Sequence, residues 1–210
     1  MVRELRRLLG GLDPSHPWIG RIQDVDPDPG SPLVTACRVV DGAVEMTRTL
    51  PAGSSVTSPV ALDIEVRGEA MVLWTMRGGR FEATYPPLAY MPVPRSITPG
   101  LPVPPSVGGA HRIEFGSVGG RSSDGDVPLF LLTDLDGTNG LWFAVGHSGR
   151  WRGSLTKHAG APVQRLTLEA PTAPLVAGDA INLPRVVVGA FRGDGWAAIK
   201  RFITLQCPRR

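Results

Sequence analysis

Long apolar runs are missing from this 210-residue chain. No stretch of 18 apolar residues occurs, so no membrane span is expected. Cysteine is almost absent. Cys37 and Cys207 are the only two, far apart and in no C-x-x-C pair. That leaves no disulfide framework and fits a reducing compartment, with a single long-range bridge and the redox state of both thiols left open. A basic patch is missing too. Lys and Arg number 22 against 19 Asp and Glu, for a net charge of +3, and the basic residues are dispersed apart from Arg3, Arg6, Arg7 and the terminal Arg209 and Arg210. Nucleic-acid binding, which needs a clustered patch, is not expected. The opening MVRELRRLLGGLDPSHP has no apolar signal core. The expectation is a soluble cytoplasmic chain.

Cofactor signatures are equally scarce. His16, His111, His147 and His158 have no metal-ligand spacing. GSVGG at 116–120 lacks the Lys-Ser/Thr of a phosphate-binding loop. No pair of carboxylates is placed as in a glycosidase. No cofactor and no metal are therefore expected.

What is abundant is turn-forming residue and alternation. Glycine (26) and proline (21) are scattered rather than tandem, and 42% of the residues are hydrophobic, enough for a core rich in turns and poor in long helices. Val2, Leu5, Leu8, Leu9 and Leu12 recur at helical spacing, with arginines on the other face, so residues 1–20 are read as a short helix or arm. From Leu33 the period becomes two. Val34 to Val40 and Val44 to Leu50 flank Asp41-Gly42, which predicts a hairpin. Further strands are expected over Val60–Val66, Met71–Met76, His111–Phe115, Leu129–Thr133, Leu141–Val145, Trp151–Leu155, Val163–Leu168 and Arg185–Ala190. Residues 84–109 are rich in proline, which cannot donate to a central ladder, and are read as a long ordered loop or an edge-covering excursion, with a linker between two domains as the alternative. GWAAIKRFIT at 195–204 has helical spacing through Trp196, Ile199 and Ile203. The fold class is mainly β, two packed sheets formed by residues 21–210 as one domain.

Two motifs invite chemistry. GHSG at 146–149 resembles the elbow that holds a hydrolase serine, but Arg150 stands where the elbow needs its last glycine, and WRGSL after it has strand rather than helix character. A hairpin between Phe143 and Trp151 is the preferred reading, with Ser148 structural. A small serine hydrolase using Ser148 with His147 or His158 is the alternative. Asp134-Leu-Asp136-Gly-Thr-Asn139-Gly140 misses the glycine and glutamate positions of a calcium loop, as does the run of Asp24, Asp26 and Asp28. Residues 134–140 are read as a polar turn joining two strands. Trp142, Phe143 and Trp151 crowd one short stretch, as core, docking or sugar-stacking residues.

PLFLLTD, GLWFAVGHSGRWRGSL and LPRVVVGAFRGDGWAAIKRFI, in that order, resemble the N-terminal domain of family-36 glycoside hydrolases, the α-galactosidases and their relatives. Gly140, Leu141, Phe143, Gly146, Ser148, Gly149 and Trp151 match a "GLxFGxxWSGxW" pattern, with His147 where an aromatic is frequent. Pro184, Val186, Val188, Gly189, Gly193 and Asp194 match "PxVxLGxxxGD". The resemblance covers residues 111–206. It implies a large twisted β-supersandwich, with a C-terminal helix leading toward a catalytic (β/α)8 barrel. In that family both catalytic carboxylates sit on the barrel, which needs about 250 further residues. The sequence stops at Arg210, near where a barrel would begin, so no catalytic residue can be carried over.

The function these readings support is a non-catalytic accessory domain. It would dock on a barrel, of the same or another chain, and help shape a sugar pocket or an oligomer interface. Galactoside hydrolysis is expected only with the barrel supplied. A free-standing carbohydrate-binding module is the alternative, and galactosides and a second copy of the chain are the remaining candidate partners. Trp142, Phe143, Trp151, Trp196 and Phe202 are the candidate sugar-contact or docking residues. One face is expected to stay uncovered in the isolated chain, with the hairpin around Trp142 and Trp151 and the helix with Trp196, Ile199 and Phe202 as contributors, and with some of the helix's apolar side chains packed on the sandwich instead.

Overall fold

A computed structural model describes residues 2–23, 31–57, 60–68, 71–77, 92–97, 110–117, 125–146, 149–158, 163–170 and 175–206. In chain order these form α1 (Val2–Leu12), β1 (Ile22–Gln23), β2 (Val34–Val40), β3 (Ala43–Leu50), β4 (Ser55–Val56), β5 (Val60–Arg67), β6 (Met71–Arg77), β7 (Pro92–Ile97), β8 (Ala110–Gly116), β9 (Asp126–Thr133), β10 (Asn139–Gly146), β11 (Arg152–His158), β12 (Val163–Glu169), β13 (Leu175–Val176), β14 (Ile181–Asn182), β15 (Arg185–Arg192) and α2 (Gly195–Gln206). The fold is mainly β, with a short helix at each end.

The described strands build two large antiparallel sheets and a small one. The first runs β1-β5-β12-β11-β8. The second, eight-stranded, runs β14-β3-β15-β10-β9-β6-β7, with β2 also on β3. Alternation along each strand sends one set of side chains inward. Leu62, Ile64, Leu155 and Leu166 of the first sheet meet Met46, Leu73, Phe143 and Val188 of the second in one core. At its centre Phe130 stacks on Phe143 with ring centroids 4.7 Å apart, and Phe115 meets Phe130 edge to face at 4.9 Å.

The two sheets differ on their outer faces, and the sequence shows why. In β5 and β12 the outward positions carry Asp63, Glu65, Arg165 and Thr167, so that face is solvated. Arg165 pairs with Asp63 at 2.6 Å, and Thr167 donates to the same carboxylate at 3.0 Å. Strands β9, β10 and β15 have Leu131, Trp142 and Val187 outward as well, and α2 covers them. Apolar residues on both faces mark a strand buried on both faces.

The expected hairpin at Asp41-Gly42 is present. Val40 pairs with Ala43, and both turn residues take positive φ, 47° and 76°. That suits a two-residue connection whose twist matches the strands. The polar turn at 134–140 also forms, with the Asp134 amide donating to the Asn139 carbonyl at 3.0 Å and β9 pairing with β10. Residues of the first twenty form α1, which lays Leu5 and Leu9 into the core.

One expectation is corrected. GHSG does not close a hairpin: β10 pairs with β9 and β15, whereas β11 pairs with β8 and β12. The strands on either side of it therefore belong to different sheets. Phe143 and Trp151 both point into the shared core from opposite sheets, which a hairpin would not require. His147 and Ser148 themselves lie outside the described residues. In the proline-rich stretch 84–109, Pro92–Ile97 pairs with β6 at the sheet edge, so of the readings offered the edge excursion fits its described part. Pro92 and Pro94 are two apart, so both turn their nitrogens to the same side. At an edge that side is the open one, where the missing N–H costs no ladder bond. The rest of that stretch, like the run Asp24, Asp26 and Asp28 and like Cys207, lies outside the described residues.

Candidate functional site

The C-terminal helix begins with a cap that the sequence supplies. Asp194 accepts hydrogen bonds from the backbone amides of Trp196 (2.9 Å) and Ala197 (3.1 Å), satisfying donors that a helix start leaves free. Its buried stripe is Gly195, Ile199 and Phe202. Ile199 and Phe202 pack with Trp142, Leu131, Val187 and Phe191 in a second apolar cluster on the outer face of the eight-stranded sheet. Gly189 makes this possible. A Cβ there would lie 2.2 Å from Cε2 of Trp142, so the indole lies against β15 only because the position is glycine. At the other end of α2, Gln206 donates to Asp41 in the β2–β3 turn.

The candidate aromatics therefore divide. Trp142, Trp196 and Phe202 come together under and beside α2, with Trp142 and Phe202 almost wholly buried and Trp196 half-buried. Phe143 and Trp151 are buried in the central core. The expectation that Trp142, Trp151, Ile199 and Phe202 form an uncovered face is corrected, since all four are buried. The reason is helix phase: Phe202, not Ile203, faces the sheet. The apolar residues that α2 does expose are Ile203 (39%) and Leu205 (60%). Leu205 lines a groove of about 290 Å³ together with Asp41, Arg192 and Arg201, over a floor that includes Trp142 and Phe202.

The start of the chain is tied to the same molecule by polar contacts. Trp18 Nε1 donates to Asp134 at 3.2 Å, and Arg21 pairs with Asp134 while donating to the Arg67 carbonyl at 2.7 Å. Asp134 is thus occupied by the N-terminal segment. Buried His16 meets the Phe191 carbonyl at 2.7 Å, so its Nε2 carries the proton and donates, and its Nδ1 accepts from the Trp18 amide at 3.3 Å. Among the described residues no three His, Cys, Asp or Glu converge as metal ligands.

A second hollow, of about 350 Å³, opens on the outer face of the five-stranded sheet. Cross-strand register assembles it: Gly116, Arg152 and Glu169 form one row, and Glu114, Ser154 and Thr167 the next. Arg150 and Asp126 complete it. Asp126 is buried and accepts from the Gly116 amide at 3.0 Å. Sequence reasoning missed this cleft. Its residues are the outward half of RGSLTKH and VQRLTLE, where alternation marks them only as a polar face. Ile203 and Leu205 were missed because two helical phases fit GWAAIKRFITLQ equally well.

No helix among the described residues is long and apolar enough to cross a membrane. No protein-family model matches the chain, and no curated protein matches it. Solved structures do. The galactosidase domain of the α-galactosidase–sucrose kinase AgaSK has TM-score 0.54 and 18% identity, covering 77% of this chain and 21% of that one. The α-galactosidase from Lactobacillus brevis has TM-score 0.53 and 12% identity, covering 72% and 20%. The GH36 α-galactosidase AgaA from Geobacillus stearothermophilus has TM-score 0.52 and 14% identity, covering 72% and 20%. The chain therefore shares its fold with GH36 α-galactosidases and spans about a fifth of the length of those proteins.

Proposed function

We propose that this chain is a non-catalytic accessory domain of an α-galactosidase-like glycoside hydrolase. Residues 21–210 are its sandwich unit, and residues 1–20 are an N-terminal arm whose helix α1 is laid on it. The observation that carries this reading is the fold match, in which a sandwich of this kind makes up about a fifth of larger α-galactosidase chains. The domain works by docking on a catalytic (β/α)8 barrel, of its own or another chain. There it helps shape a galactoside pocket or an oligomer interface. The cytoplasm is the compartment that suits this role.

Exposed Leu205, which lines the groove on a helix already anchored at both ends, supplies the docking surface, and exposed Ile203 lies on the other flank of the helix. A leucine exposed on an anchored helix gains by burial against a partner, at about 25 cal/mol per Å² of apolar area. The rest of the 290 Å³ groove adds polar groups for orientation, Arg201 among them.

The test is hydrolysis of a chromogenic α-galactoside by the purified 210-residue chain, alone and with a barrel restored from the neighbouring reading frame. The reading expects no turnover alone and turnover with the barrel. Turnover by the isolated chain, lost on changing one of its own carboxylates, overturns it.

A further inference from the structure

We propose that the cleft on the outer face of the five-stranded sheet is a binding site for a small neutral polyhydroxylated ligand, a sugar. It is separate from the α2 face, on the opposite side of the sandwich. Four polar side chains meet there without partners among the described residues: Ser154, Arg150, Arg152 and Glu169. Ser154 is the most telling. Only 8% of it is exposed, yet its hydroxyl makes no hydrogen bond to described residues and lines the cleft. The hydroxyl is not sealed from solvent, so it stays open to water or to a ligand that fills the cleft. Arg152 and Glu169 add a second sign. They stand directly opposite in the β11–β12 register but form no ion pair within 4.0 Å, so donor and acceptor both remain available above the sheet.

The charge balance selects the ligand. Arg112, Arg150 and Arg152 face Glu114, Asp126 and Glu169, three cations against three carboxylates, so the lining is neutral overall. An anion would gain from the arginines and lose to the acids. A neutral ligand with adjacent hydroxyls can donate to a carboxylate and accept from a guanidinium at once, through charge-assisted bonds. The aromatic rings nearest the cleft, Phe115 and Trp151, are buried, so recognition rests on hydrogen bonds rather than stacking. A volume near 350 Å³ is at the small end of ligand sites.

The proposal is independent of docking on a barrel. It is tested on the purified chain by titrating glucose, galactose, sucrose and raffinose, with inorganic phosphate as the anionic comparison, followed by amide chemical shifts. At least one sugar is expected to bind saturably, with shifts at Gly116, Gly153 and Ser154, and phosphate not to compete. Arg152→Ala and Ser154→Ala should each weaken that binding about tenfold, while Arg6→Ala on the exposed side of α1 leaves it unchanged. No saturable binding of any of the four sugars overturns the proposal. So does unchanged affinity in both cleft variants, or phosphate binding more tightly than every sugar.

Discussion

Phe202 of α2 and Trp142 of β10 meet with ring centroids 5.1 Å apart, tilted at 45°, and only 9% and 4% of each residue remains exposed. This contact joins the C-terminal helix to the sheet. Truncating a buried phenylalanine costs roughly 3–5 kcal/mol. Phe202→Ala is expected to lower stability by that order in urea unfolding. Phe202→Glu, which would bury a charge against an indole, should reduce the yield of folded protein rather than raise its solubility. A Phe202→Glu chain as stable as wild type would show that α2 does not pack as described.

Gly189 holds the other side of the same indole. Adding a methyl 2.2 Å from the ring forces the ring or the strand to move. Overpacking of this kind costs about 1–3 kcal/mol. Gly189→Ala should show that loss together with a changed near-UV signal from Trp142. An unchanged spectrum and midpoint would mean that the indole lies elsewhere.

The exposed apolar residues on the two flanks of α2 should behave oppositely. Ile203→Glu with Leu205→Glu removes exposed apolar area and leaves the buried stripe intact. The double variant is expected to keep its unfolding midpoint within about 0.5 kcal/mol and to self-associate less in sedimentation velocity. A large loss of stability would place these side chains in the core instead.

Cys37 carries a free thiol on β2. Burial pushes its pKa above the ordinary value, and the negative charge of Glu4 adds to the effect. The thiolate is therefore scarcer at neutral pH than in an exposed cysteine. In a Cys207→Ser background, Cys37 should react several-fold more slowly with a disulfide reagent than after unfolding in urea. The raised folded value also fixes the sign of its effect on stability. The contribution is fully present below the unfolded thiol pKa, about 8.5, and is lost as pH rises through the folded value. Equal rates in the folded and unfolded chain would contradict the burial.

Local signals carried much of this fold. The spacing of Leu5 and Leu9 placed α1, Asp41-Gly42 placed a turn, and alternation placed the inward residues of β5, β10 and β12. Pairing across the sandwich was not legible, because period two assigns faces and not partners. Strands β5 and β6 adjoin in sequence but lie in different sheets, as do β10 and β11. The glycines around GHSG suit a connection between sheets as well as a hairpin. The phase of α2 was undecided for a similar reason: Phe202 and Ile203 are equally apolar, and the tie is broken by Trp142, sixty residues earlier. The cleft was hidden because Ser154 and Arg152 are ordinary outward residues until β8 and β12 flank them.

The central claim is that α2 presents a docking face for a glycosidase barrel. A photo-cross-linking amino acid at Leu205, introduced into the protein in its native cells, tests this most directly, with the cross-linked peptides identified by mass spectrometry. The account predicts a cross-link to a (β/α)8 glycoside hydrolase sequence, in the same polypeptide or a separate one, that disappears when Arg201, one turn away in the same groove, is changed to Glu. Cross-links confined to this sandwich, or formed only with proteins that hold no such barrel, would contradict it.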